Sequence, residues 1–229
     1  MGNICIIPAR GGSKRISRKN IKYFLGKPII AYSIQAALDS LLFDEVMVST
    51  DDSEIAKIAV KYGAKVPFKR SDKNSDDFAT TFDVIEEVII SYKNEGREFD
   101  NLCCLYACAP FVTKELILES FQKLKSNNFD TVFPVIPYSF PIQRALIEKN
   151  GKIFMIKENN LQSRTQDLEK TYHDVGQFYC CKIDRIMLNK KILTNNTGGI
   201  FVTELDAQDI DNHIDWKLAE LKYSLRNEL

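Results

Sequence analysis

The chain has 229 residues, 45% hydrophobic and 27% charged, which is the composition of an ordinary globular protein long enough to bury a sizeable core. Its 31 basic and 31 acidic side chains cancel. That balance argues against a general nucleic-acid or membrane-surface binder and means that any anion site must concentrate its cations locally. No apolar run approaches the roughly 20 residues of a membrane span. No charged n-region precedes an apolar segment near Met1, so no secretory signal is read and a cytoplasmic protein is expected.

In chain order, residues 4–8 form a short apolar strand that opens into Arg10-Gly11-Gly12-Ser13-Lys14-Arg15, with Arg18, Lys19 and Asn20 close behind. Paired glycines let backbone N–H groups approach a ligand closely, and cations around such a nest suit a polyphosphate. The spacing is not that of a Walker A loop. A Gly-Gly-Ser-Lys fragment alone fits a solvated surface turn equally well; its place directly after an N-terminal strand, with Gly26-Lys27-Pro28 following, points to phosphate. A helix is predicted over 29–40, a strand over 45–50, and a helix over 52–62 with Ile55, Ile58 and Ala59 on one face. A helix over 80–94, an apolar strand over 101–107, a helix over 113–126 and a strand over 131–136 follow. Continuous apolar strands between amphipathic helices predict an α/β fold with a mostly parallel sheet covered on both faces. Ligands bind such sheets beyond the carboxyl ends of the strands, so Arg10, residues 50–52 and residues 107–110 should converge.

Beyond that point Pro134, Pro137 and Pro141 interrupt the pattern, and Gly151 marks a turn between 145–148 and 152–156, a protruding hairpin rather than a second domain. Residues 177–181 and 199–202 read as late strands and 214–225 as a closing helix. The six cysteines sit mostly in apolar runs, without Cys-x-x-Cys, and read as buried reduced thiols. Only Cys108 falls at a strand end, where it would line a pocket. Asp209 and Asp211 stand two apart, which puts both carboxylates on one face of an extended segment and suits an Mg²⁺ completed by phosphate oxygens and water. On residue type alone, N-terminal capping of the run from Asn212 is the simpler account of that pair.

Residues 7–14, Arg18-Lys19-Asn20-Ile21, residues 26–34, Val48-Ser49-Thr50-Asp51-Asp52, residues 171–179 and Asp209-Ile210-Asp211 together resemble the acylneuraminate cytidylyltransferase family over nearly the whole chain. Gly176-Gln177-Phe178-Tyr179 and residues 106–111 are most similar to its pseudaminic acid branch. The resemblance implies a Rossmann-like nucleotidyltransferase fold as one domain over 1–229, with a segment near 138–160 crossing to a second subunit in a homodimer. It implies CTP and an acidic nine-carbon sugar (a nonulosonic acid) as substrates, with Mg²⁺ held by Asp209 and Asp211. Catalysis would rest on Arg10, Lys19, Asp209 and Asp211. The nucleotide would meet Arg10, Gly11, Gly12, Ser13, Lys14, Asn20, Arg70, Asp77, Thr80 and Tyr106. Of these, Arg70, Asp77 and Thr80 would hold the cytosine and ribose, although the polar run 70–77 also reads as a solvated loop. The sugar would meet Arg164, Gln166, His173, Gln177 and Tyr179, although a lone His on a strand such as His173 is more often a structural residue than a catalyst.

Departures from the family bear on the sugar. The sialic acid branch has Gln-Pro-Thr-Ser-Pro where this chain has Tyr106-Ala107-Cys108-Ala109-Pro110, and an Arg and an Asn where His173 and Val175 stand. These changes imply a sugar with different C5 and C7 substituents and fewer terminal hydroxyls, as in pseudaminic acid. The rival readings are a CMP-N-acetylneuraminate, CMP-legionaminate or CMP-Kdo synthetase, and a nucleotide-binding regulatory module without turnover.

Overall fold

The computed structural model describes residues 2–156 and 163–228. A seven-stranded sheet is its frame, built on β1 (Asn3–Pro8), β4 (Glu45–Ser49), β5 (Asn101–Leu105), β6 (Thr131–Pro137), β9 (Tyr172–Asp174), β10 (Phe178–Lys182) and β11 (Thr197–Phe201). The order is β11-β6-β10-β5-β1-β4, with β9 added to β6. β1 pairs in parallel with β4 and β5, and β11 pairs in parallel with β6. β10 runs antiparallel between β5 and β6, and β9 runs antiparallel on β6. The sheet is thus mostly parallel as expected, but β9 and β10 reverse direction, which apolar runs alone do not encode.

Alternation along the strands sorts the core into two layers. Cys5, Ile7, Val46, Val48, Cys103 and Leu105 pack with α1 (Ile30–Asp39), α2 (Ser53–Lys61) and α4 (Lys114–Ser126). Ile4, Ile6, Met47, Leu102 and Cys104 face α3 (Thr81–Asn94) and α5 (Ile183–Asn189). The neighbouring thiols Cys103 and Cys104 therefore enter opposite layers. All six cysteines are free, and only Cys108 is not fully buried. α5 was not expected, and neither was the small ribbon of β2 (Tyr23–Phe24) and β3 (Lys27–Pro28). That ribbon seats Phe24 edge-on against Tyr32, Trp216 and Tyr223, docking α6 (His213–Glu228) beside the first loop.

The predicted hairpin is β7 (Leu146–Lys149) paired with β8 (Lys152–Met155). Asn150 and Gly151 both take positive φ, 53° and 75°, the two-residue turn that matches the strand twist. The expected protruding segment ran to residue 160; its end at 157–160 lies outside the described residues. No described helix is long and apolar enough to cross a membrane.

Candidate active site

The first loop leaves β1 at Pro8 and is fixed from three sides. Gly11 N–H donates to the Asp51 carboxylate at 2.8 Å, and the Arg18 guanidinium binds both Asp52 oxygens at 2.6 and 3.1 Å. Asp52 is also the N-cap of α2, accepting from Glu54 and Ile55 N–H. The hydrogen bonds from Arg18, above all, pull its carboxyl down to about 2, far below the ordinary range. A Cβ on Gly11 would come within 2.9 Å of the Asp52 carboxylate, so a glycine is needed there for close approach. The expected use of the Gly11 amide in a phosphate cradle is corrected by this contact: that N–H is committed to Asp51.

Residues 50–52 after β4, expected to join the site, line a separate hollow instead and hold the first loop through Asp51 and Asp52. The carboxyl ends of β1 and β5 do converge. They border a cleft of about 600 Å³ that receives side chains from segments far apart in sequence: Arg10, Ser13, Lys14, Lys19 and Asn20 from the first loop, Arg70, Asp77 and Thr80 from the second polar stretch, and Tyr106 after β5. Asp209 and Asp211 close the far side. Lys19 donates to the Ile210 carbonyl at 2.7 Å. Asn20 donates to the Arg10 carbonyl at 2.9 Å and accepts from the Cys108 thiol at 3.2 Å. Burial pushes that thiol up to about 12, so it is held protonated and serves as a hydrogen-bond donor rather than a nucleophile.

Asp77 sits between Arg10, at 2.9 Å, and Lys14. Lys14 first and Arg10 second hold its carboxyl below the usual range. The sequence assigned Asp77 to the nucleoside and Arg10 and Lys14 to phosphate; the contact joins the two groups. Arg70 is nearly buried, 5% exposed, and donates to the Ser49 hydroxyl at 3.0 Å and carbonyl at 2.5 Å. Its tether points the guanidinium along the end of β4. Thr80 caps α3 in a reciprocal box with Asp83, so its hydroxyl has a structural task besides lining the cleft. Thr81, one residue on, hydrogen-bonds the Tyr106 hydroxyl at 3.1 Å.

The carboxylate pair is not the helix cap that residue type suggested. Asn212 accepts from the Ile214 and Asp215 N–H groups, while Asp215 accepts from those of Asp211 and Asn212. That reciprocal box starts α6 and leaves both Asp209 and Asp211 side chains to the cleft. Burial first, then the Asp211 charge, pushes the Asp209 carboxyl above its ordinary value. A buried carboxylate raised by a neighbouring one in this way gains from a cation between them. Among the described residues no group of three or more His, Cys, Asp or Glu side chains could hold a metal alone. Two carboxylates completed by phosphate and water is the Mg²⁺ pattern, and the residues fit it.

The sugar assignments fare differently. His173 packs against Tyr138 with tilted rings, centroids 4.7 Å apart, and lines an adjoining hollow of about 360 Å³ with Val175 and Asp209. Gln177 is 1% exposed and donates to the Asp206 carbonyl at 2.8 Å, its Oε1 buried without a partner. Its own carbonyl accepts from Tyr106 N–H. Tyr179 is buried between Tyr106 and Phe133 and donates to Asp174. Neither Gln177, just before β10, nor Tyr179 within it lines the cleft; both side chains are buried, and the two residues support Tyr106 and Asp174. Arg164 pairs on the surface with Asp167 at 2.8 Å, and Gln166 beside it is exposed; neither lines the cleft of its own chain. Sequence reasoning missed Arg15, whose guanidinium lies 2.7 Å from Asp211; its place in the cation run was the available signal.

Comparisons with known proteins agree with this geometry. A cytidylyltransferase family model matches residues 4–195. A pseudaminic acid cytidylyltransferase of Campylobacter jejuni is 42% identical over 230 aligned positions, covering 100% of this chain and 99% of that protein. A CMP-N,N'-diacetyllegionaminic acid synthase of the same organism is 33% identical over 98% of this chain and 96% of its own. Among solved structures, a CMP:2-keto-3-deoxy-manno-octonic acid synthetase complexed with CTP superposes with a TM-score of 0.70 at 17% identity, each chain covered in full, which supports the fold. Matched by the family model over most of its length and by close relatives from end to end, the chain is an enzyme of the cytidylyltransferase family.

Proposed function

We propose that this enzyme transfers CMP from CTP to the anomeric hydroxyl of pseudaminic acid, releasing pyrophosphate, with Mg²⁺ on Asp209 and Asp211. One observation carries the reading: Lys19 and the Ile210 carbonyl join a cationic loop to a carboxylate pair across a single cleft. The sugar oxygen attacks the α-phosphorus while the bond to the β-phosphate breaks, the hydroxyl proton passes to water, and the leaving pyrophosphate takes up the negative charge. Arg10, Lys14 and Lys19 face that charge, with Ser13 beside them, and positioning and electrostatics supply most of such a reaction. Bound Mg²⁺ neutralises phosphate charge and polarises the reacting group. Arg70, its Nε and Nη2 anchored on Ser49, lines the cleft with its remaining N–H donors held in a fixed plane for the nucleoside.

The choice of sugar is supported by Tyr106 and Cys108 in the cleft and by His173 and Val175 in the adjoining hollow. The Tyr106 hydroxyl already has Thr81 as a partner, and Val175 offers no polar atom from its side chain. Such walls favour a substrate with few hydroxyls there, since each buried hydroxyl without a partner costs about 1–3 kcal/mol. Pyrophosphate release from CTP across a panel of acidic sugars tests the proposal; release with none of them contradicts it.

A homodimer belongs to the same proposal. Phe140, Leu146 and Ile153 are 84%, 61% and 62% exposed, and Phe154 and Ile156 lie near them, an apolar surface of the kind a partner covers. Arg164 and Gln166 are exposed and do not line their own chain's cleft, so in this proposal they meet the sugar in the partner's cleft. Ile153→Asp should convert the dimer to a monomer in light scattering; an unchanged mass contradicts the interface. Cytoplasmic action, where CTP is made and used, is part of the same proposal.

A further inference from the structure

We infer that Arg15 occupies two positions in turn, resting on Asp211 before ligands bind and moving to the polyphosphate once a divalent cation takes Asp211, so that this side chain couples metal and nucleotide binding. The inference rests on the reading of Asp209 and Asp211 as the metal carboxylates. Arg10 and Lys14, on the same loop, both contact Asp77, and Lys19 contacts the Ile210 carbonyl. Arg15 differs: its Nη2 lies 2.7 Å from Asp211 Oδ1, an atom the cation would use. On that oxygen a guanidinium and a metal ion would compete for lone pairs and for the same negative charge, so each contact weakens the other.

The pair is also easy to displace. Its side chains are 67% and 40% exposed, and ion pairs in such settings contribute little. A guanidinium on Asp211 answers one carboxylate, whereas a divalent ion between Asp209 and Asp211 answers both. Once released, Arg15 stands next to Lys14 in the cleft with a planar fork of donors suited to phosphate. Each ligand then tightens the other by the same factor.

The test uses the full chain without sugar, so that no turnover occurs, and reads binding directly. Mn²⁺ is titrated without nucleotide by electron paramagnetic resonance, and CTP is titrated by calorimetry in EDTA and in saturating Mg²⁺. Arg15→Gln should bind Mn²⁺ roughly two- to fivefold more tightly than the parent, because the competitor is gone. It should bind CTP equally well in EDTA but roughly tenfold more weakly in Mg²⁺. Lys14→Gln removes the same charge without touching Asp211 and should leave Mn²⁺ affinity unchanged. Equal Mn²⁺ affinity for Arg15→Gln and the parent overturns the inference, as does an equal gain in Lys14→Gln. A parent protein that binds no Mn²⁺ at all contradicts the metal reading beneath it, a result distinct from either.

Discussion

Lys19 donates its ammonium to the carbonyl of Ile210, a residue 191 positions away that lies between Asp209 and Asp211. This contact sets the distance between the cations of the first loop and the carboxylate pair before any ligand arrives. Preorganisation of that kind matters because misplacing catalytic groups by about 1 Å can cost on the order of 100-fold. Lys19→Gln should therefore lower kcat/KM by about two orders of magnitude while shifting the thermal midpoint little. A variant that keeps full activity would show that the tether is incidental.

Asp211→Ala should reduce turnover at least about 100-fold, since losing the support of a metal ligand already costs 10–100-fold and this removes the ligand itself. The α6 cap is Asn212 with Asp215, so the fold should persist. Circular dichroism and turnover measured on the same sample check both halves; unchanged turnover in excess EDTA would contradict the metal assignment.

Base selectivity follows from the fixed guanidinium of Arg70. A site that hydrogen-bonds its substrate rejects mismatched analogues by roughly 10⁴, so CTP should exceed ATP by that order in pyrophosphate release. Arg70→Lys keeps the charge but loses the fork and the Ser49 anchor, and should narrow the ratio. Equal rates with CTP and ATP in the parent enzyme would remove the base-reading role.

Asp52 links stability to pH. Its carboxyl is held at about 2 against an ordinary 3.8, chiefly by Arg18, a shift corresponding to about 2 kcal/mol. A depressed value stabilises the fold above the unfolded pKa and loses that stabilisation as pH falls through the folded one. Asp52→Asn preserves the cap of α2 but not the charge, so it should lose about 1–2 kcal/mol at pH 7. Urea midpoints of parent and variant should converge between about pH 4 and pH 2; a gap independent of pH would assign the loss to packing.

Much of this was legible in the residues, for identifiable reasons. The apolar runs at β1, β4 and β5 and the cation-rich loop after β1 carry local signals, so the convergence of Arg10 with residues 107–110 could be argued from topology. Strand direction in β10 is not local: it depends on which neighbours it meets, and the run 178–182 reads alike either way. The same gap explains Gln177 and Tyr179, whose burial follows from the antiparallel placement of β10 between β5 and β6. The capping account of Asp209 and Asp211 failed because Asn212 and Asp215 complete the box without them, a choice visible only in the geometry. Arg15 was overlooked as one cation among several, its partner lying 196 residues further along the chain.

The central claim is the activation of pseudaminic acid, and competition tests it most directly. The enzyme, limiting amounts of CTP and Mg²⁺ are mixed with equal pseudaminic and N-acetylneuraminic acids, and the two CMP-sugars are quantified by mass spectrometry. The account predicts that CMP-pseudaminic acid forms first and predominates, with Val175→Asn shifting the ratio toward N-acetylneuraminic acid. Predominance of CMP-N-acetylneuraminic acid in the parent enzyme would contradict it.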